Sequence, residues 1–202
     1  MNFHATLMHH AASTDNPTVL ALAGVLASAF ERDGVHVLPI RGLDVQQTQW
    51  LLARWFPGAE AALAPVWAAV SVQASQQLSE HVSEHVSQCG SRYDEVEDLV
   101  TLFADHVDPR AGTREEATCV AHALACACLG ANHLWQDLRL PSRRELSALL
   151  GYWYPRLAAK NVHDMKWKKF FYKQLCEREG LFVCKAPSCG VCTDYAHCFG
   201  TE

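Results

Sequence analysis

Four cysteines stand close together near the end of the chain: Cys184-Lys-Ala-Pro-Ser-Cys189-Gly-Val-Cys192-Thr-Asp-Tyr-Ala-His-Cys198. Their spacing is C-x4-C-x2-C-x5-C. Thiolate is the soft ligand that selects zinc, Cu(I) or iron–sulfur chemistry. Four thiols in so short a segment can converge on one metal centre with little long-range scaffolding. Pro187 and Gly190 let the chain bend between ligands. Common zinc folds pair two C-x2-C units, or one such unit with histidines, and here there is one C-x2-C. The opening C-x4-C-x2-C matches the plant-type [2Fe–2S] pattern, whose fourth cysteine lies far downstream. From spacing alone, iron–sulfur binding, structural zinc and a metal-free loop all stay open.

A second set lies upstream. Cys119, His122, Cys126 and His133 fall at i, i+3, i+7 and i+14 on a helix read from Thr113 to about Leu138. At 100° per residue they sit within about 60° of one another. Such a stripe offers auxiliary metal ligands. The same face is rich in alanine, and free cysteine is also an ordinary core residue. Cys176, beside Leu175, reads the same way. Lys166, Lys168, Lys169 and Lys173 form a basic group before the cysteine segment. They offer a docking point for an anion or for an acidic partner, or else a solvated helix face. His81-Val-Ser-Glu84-His85 spells the inverted zinc-peptidase signature H-x-x-E-H. It sits in a Ser/Glu/His doublet without a readable third ligand, so peptidase activity is not expected. No G-x-S-x-G, Walker A or G-x-G-x-x-G occurs, and no catalytic constellation is identified.

The elements that must position these residues read as helices. Residues 1–16 look small, polar and mobile, with His4, His9 and His10 solvated. Pro17 to Phe30 suits a helix, and Val35 to Ile40 an extended connector. Asp44 caps a helix through Trp55, ended by Pro57 and Gly58. Pro65 opens a longer helix that Gly90 closes. From Tyr93, Val96, Leu99, Val100, Phe103 and Val107 share one face. Thr113-x-x-Glu116 and Ser142-x-x-Glu145 read as capping boxes. The second opens a helix burying Leu146, Leu149, Leu150 and Trp153, which Pro155 kinks or ends. A last helix, Asp164 to Arg178, buries Trp167, Phe170, Phe171 and Leu175, with Gly180 as its cap. The fold class is all-α: a helical bundle at 17–180, with an irregular cysteine-rich loop at 181–202 packed on it.

Bulk properties narrow the function. A chain of 202 residues, 50% hydrophobic, forms a globular core without disulfides. Nine cysteines with no readable signal peptide point to a reducing, cytoplasmic setting. No stretch approaches a membrane span, so no membrane partner is expected. The net charge of −5 argues against nucleic acid as a partner. From Lys160 onward seven Lys/Arg stand against five Asp/Glu, so a mildly basic end sits on an acidic body.

Three runs then carry a resemblance: Asn132-His-Leu-Trp-Gln-Asp-Leu138, Met165-Lys-Trp-Lys-Lys-Phe-Phe-Tyr-Lys-Gln-Leu-Cys176, and the cysteine segment through Gly200. In this order, from about Tyr93 on, they resemble the NifQ family of nitrogen-fixation proteins, whose hallmark is the terminal four-cysteine motif. The resemblance implies a carrier of a molybdenum–iron–sulfur cluster (Mo, Fe and sulfide) held by Cys184, Cys189, Cys192 and Cys198. It implies a donor of molybdenum to the iron–molybdenum cofactor of nitrogenase, and not an enzyme. Its implied partners are the cofactor-assembly scaffold, the nitrogenase iron protein, and molybdate or a precursor cluster. The competing readings are a zinc-stabilised helical interaction protein and an electron-transfer iron–sulfur protein.

Overall fold

The computed structural model describes residues 2–33, 38–59, 61, 63 and 86–178, with side chains in the last stretch from Asp94 onward. Among them are nine helices and no strand. They are α1 (Phe3–His9), α2 (Pro17–Asp33), α3 (Val45–Trp55), α4 (Val86–Ala104), α5 (Arg114–Cys128), α6 (Leu134–Asp137), α7 (Arg143–Trp153), α8 (Pro155–Ala158) and α9 (Trp167–Arg178). The all-α expectation holds for these residues. The expected cysteine loop at 181–202 lies outside them, as do most of the helix expected from Pro65 and the H-x-x-E-H run.

Two helices form the centre. On α2, Val19, Leu22, Ala23, Leu26, Ala27 and Phe30 are all buried. On α5, Val120, Ala123, Leu124, Ala125 and Cys128 are buried as well. A helix apolar nearly all round belongs inside a protein. Accordingly α5 packs against α2, α3, α4 and α6, while α2 also packs against α1 and α7. Gly24 lets α2 approach the backbone of Leu138 so closely that a methyl there would collide with the Leu138 carbonyl. Thr18 accepts the indole N–H of Trp153 at 2.9 Å, fixing α7 on α2. Phe103 joins α4 to the rest of the core, with ring centroids 5.0 Å from Tyr154 and 5.0 Å from Phe171.

Local chemistry sets most helix ends. Asp44 accepts the Gln47 N–H at 2.7 Å, and the Gln47 side chain accepts the Asp44 N–H at 2.9 Å. Thr113 and Glu116 make the same reciprocal exchange at 3.2 and 2.9 Å. Such boxes satisfy backbone donors that a helix start leaves unpaired. Pro155 does begin a new short helix after α7 stops at Trp153.

Four expectations are corrected. The N-terminal segment read as mobile carries α1, capped by Asn2 and anchored by Leu7, which is wholly buried. Gly90 does not close a helix; α4 runs through it. Ser142 caps α7 without a reciprocal box: it accepts the Arg144 N–H at 3.1 Å and donates to the Glu145 carboxylate at 2.6 Å. The helix from Thr113 ends at Cys128 and not near Leu138, because Gly130 and Asn132 open a turn before α6.

Candidate functional site

Cys184, Cys189, Cys192 and Cys198 lie outside the described residues. The structure describes the body that carries them. Helix α9 ends at Arg178, six positions before Cys184. Arg178 stands 3.8 Å from Asp98 and 3.9 Å from Asp105, so the end of α9 is tied to α4. These exposed pairs orient the helix end more than they stabilise it, at about 0–1 kcal/mol each.

The upstream Cys/His stripe does not stay together. His133 is not on α5 at all: it precedes α6, exposed, and its N–H is accepted by the Gln136 side chain at 3.1 Å. Cys119 and Cys128 face the core, and burial pushes both thiols up to about 12. A thiol so held is protonated near neutrality, whereas the metal ligand is the thiolate. His122 and Cys126 meet the turn before α3 instead. The Nδ1 atom of His122 lies 3.0 Å from the Arg41 carbonyl, and the Cys126 thiol donates to the same oxygen at 3.9 Å. Burial holds the His122 pKa below its ordinary value. Gly42, at φ +83°, passes so close beneath the His122 ring that any side chain would strike it. The pair thus clamps this turn onto α5. Cys176 is buried on α9. Among the described residues no three His, Cys, Asp or Glu side chains are grouped to hold a metal ion.

The lysine group also divides. Lys173 is exposed and pairs with Glu177 at 3.7 Å. Lys169 is buried, and Lys166 and Lys168 are half-buried. Helix α9 buries Trp167, Phe170, Phe171 and Tyr172 in near succession, so it has no fully solvated face in its first turns. Lys168 donates to the Gly130 carbonyl at 2.8 Å and pairs with Asp137. That pair, largely removed from water, ties α9 to α6, and the Gly130 bond ties it to the turn between α5 and α6.

These contacts assemble a cleft of about 580 Å³ between α6 and the start of α9. His133, Gln136, Arg143, Lys166, Lys168 and Lys169 line it, with Trp167 among the apolar wall residues. Arg143 acts as a staple. Its Nη2 donates to the Asp164 carboxylate at 2.7 Å, to the Asp164 carbonyl at 2.9 Å and to the Met165 carbonyl at 2.8 Å. Asn161 brackets Met165 from the other side at 2.8 and 3.0 Å. Asp164, at φ +49°, makes the reversal that starts α9 at Trp167, later than Asp164 as expected. The structure therefore unites two of the three family-like runs, one carrying His133 and the other Lys166, Lys168 and Lys169. Arg143 was not legible as a site residue, because its partners lie more than twenty positions downstream with no motif joining them.

Known proteins resemble this chain in sequence over most of its length. The sequence model of the NifQ family matches residues 21–200. Protein NifQ of Azotobacter vinelandii is 40% identical over 173 residues, covering 85% of this chain and 84% of its own. Protein NifQ of Rhodobacter capsulatus is 44% identical over 115 residues, 57% of this chain and 61% of its own. Protein NifQ of Klebsiella pneumoniae is 44% identical over 87 residues, 43% of this chain and 52% of its own. No solved structure matches. Among the described residues no helix is long and apolar enough to cross a membrane. With its family match running from α2 through the last cysteine, the chain belongs to the NifQ family of nitrogen-fixation proteins.

Proposed function

We propose that this protein carries a molybdenum–iron–sulfur cluster on Cys184, Cys189, Cys192 and Cys198 and donates its molybdenum to assembly of the nitrogenase iron–molybdenum cofactor. The observation that carries this reading is the family match through residue 200, which takes in the whole C-x4-C-x2-C-x5-C motif. The chemistry agrees. Four thiolates suit a cluster with iron and sulfide. Of the thiols in the helical body, Cys119 and Cys128 are buried and held protonated, which makes them poor ligands beside the terminal four. The protein acts as a carrier and not as a catalyst, in the cytoplasm, with the cofactor-assembly scaffold and the nitrogenase iron protein as its partners. The cluster is cargo: it must be held against loss yet released on docking.

The test is metal analysis of protein purified without oxygen from cells supplied with molybdate. Molybdenum with iron and acid-labile sulfide is expected, together with visible absorption. Replacing Cys184 or Cys189 by Ala should remove iron and molybdenum together with the colour. Stoichiometric zinc in a colourless protein without sulfide would defeat the proposal in favour of a zinc-stabilised interaction protein. Iron and sulfide without molybdenum would point to electron transfer.

A further inference from the structure

The cleft between α6 and α9 has the chemistry of an anion site. Arg143, Lys166, Lys168 and Lys169 line it, and none of the described lining residues is acidic, while Asp164 and Asp137 pair with Arg143 and Lys168 from outside the lining. Lysine and arginine side chains donate hydrogen bonds and accept none. Gln136 spends its carbonyl oxygen on the His133 N–H, so its NH2 is what it can offer a ligand. The first residues of α9, Trp167 to Lys169, also line the space. The start of a helix twelve residues long adds its positive dipole end there.

The cleft is held in shape by groups that do not depend on a ligand. Arg143 and Asn161 fix the reversal before α9, and the Lys168–Asp137 pair ties α9 to α6. The indole N–H of Trp167 donates to Ser147 at 3.3 Å, setting α9 against α7. Cations whose positions are set in advance cost less to order on binding. A volume of about 580 Å³ falls within the usual size of small-ligand sites and admits a tetrahedral oxyanion with its attendant water.

We infer that this cleft binds a tetrahedral oxyanion dianion, with molybdate as its ligand. The inference rests on the carrier reading for its choice of anion. Lys166 and Lys169 stand in its lining beside Gln136 and the start of α9, and Arg143 and Lys168, paired with Asp164 and Asp137, hold the two walls together. Lys173 lies outside the cleft.

Equilibrium dialysis of the full-length chain against molybdate tests this. Saturable binding is expected, displaced by tungstate, which has the same shape and charge. Lys166→Gln should weaken binding by about tenfold or more, the usual effect of losing one charge-assisted hydrogen bond. Lys166→Arg should retain it, and Lys173→Gln should bind as the wild type does. Lys166 is the residue to replace because it is only half-buried, and circular dichroism checks that each variant is folded. The inference is overturned by absence of saturable binding at millimolar molybdate or by failure of tungstate to displace. It is equally overturned if Lys166→Gln binds like wild type, or if Lys173→Gln weakens binding as much as Lys166→Gln does. Iron and sulfide analysis of the same preparations separates the two readings. Cluster present with molybdate binding indifferent to Lys166 removes the cleft and leaves the carrier. Molybdate held by the cleft with no iron or sulfide removes the carrier and leaves the cleft.

Discussion

Cys119, Cys128 and His122 share one helix and are all shifted toward their neutral forms by burial. For the thiols this means chemical silence, since thiolate is the reactive species. For His122 it creates a pH dependence. Its pKa is lowered from an ordinary 6.5, chiefly by desolvation, with the hydrogen bond to Arg41 opposing the shift. A depressed histidine pKa means that the unfolded chain takes up protons first as pH falls. The stability contribution is therefore whole above about 6.5, begins to be lost as pH drops below it, and is gone once pH passes the folded-state value. Urea denaturation between pH 7.5 and 5 should show stability falling on the acid side. His122→Gln should flatten that slope; an unchanged slope would mean that His122 is not the group responsible.

At the scale of elements, helix starts were more legible than helix ends. Asp44 and Thr113 announce themselves because a capping box is a four-residue pattern whose partners are neighbours in the chain. The end of α5 at Cys128 is less legible because apolar residues resume at Leu134 and Trp135, although Gly130 followed by Asn132 is a stop signal. The first helix is hard to read because it is only seven residues long, yet Asn2 as a cap with Phe3 and Leu7 four apart is the available cue. Two glycines make a test of interhelical approach. Gly24→Ala puts a methyl into the Leu138 carbonyl and should cost about 1–3 kcal/mol. Gly151→Ala, on α7 with nothing within 4 Å, should gain about 0.5–1 kcal/mol from helix propensity. Chemical denaturation of the two variants should move in opposite directions.

For the whole molecule, the buried residues from α1 to α9 form one continuous cluster. Leu7 belongs to it, and the Ala12 N–H donates to the Trp55 carbonyl at 2.8 Å, bringing the N-terminal segment onto α3. Leu7→Ala should therefore destabilise the entire domain by about 2–5 kcal/mol, in a single cooperative transition. Early loss of α1 alone, seen by hydrogen exchange with the remaining helices still protected, would contradict this.

The sequence by itself determined the helical class, the capping of α3 and α5, the apolar faces of α4, α7 and α9, and the four-cysteine motif with its family. Each of these is written in residues a few positions apart, where spacing alone carries the physical signal. Only the tertiary structure decided that Lys169 is buried while Lys173 is exposed, and that His133 stands off α5. It likewise decided that Arg143 joins Lys166 and Lys168 around one cleft. Those outcomes depend on which side of α9 meets α6 and α7. That choice follows from how Trp167, Phe170 and Phe171 fill the core, and not from any pattern within α9 itself.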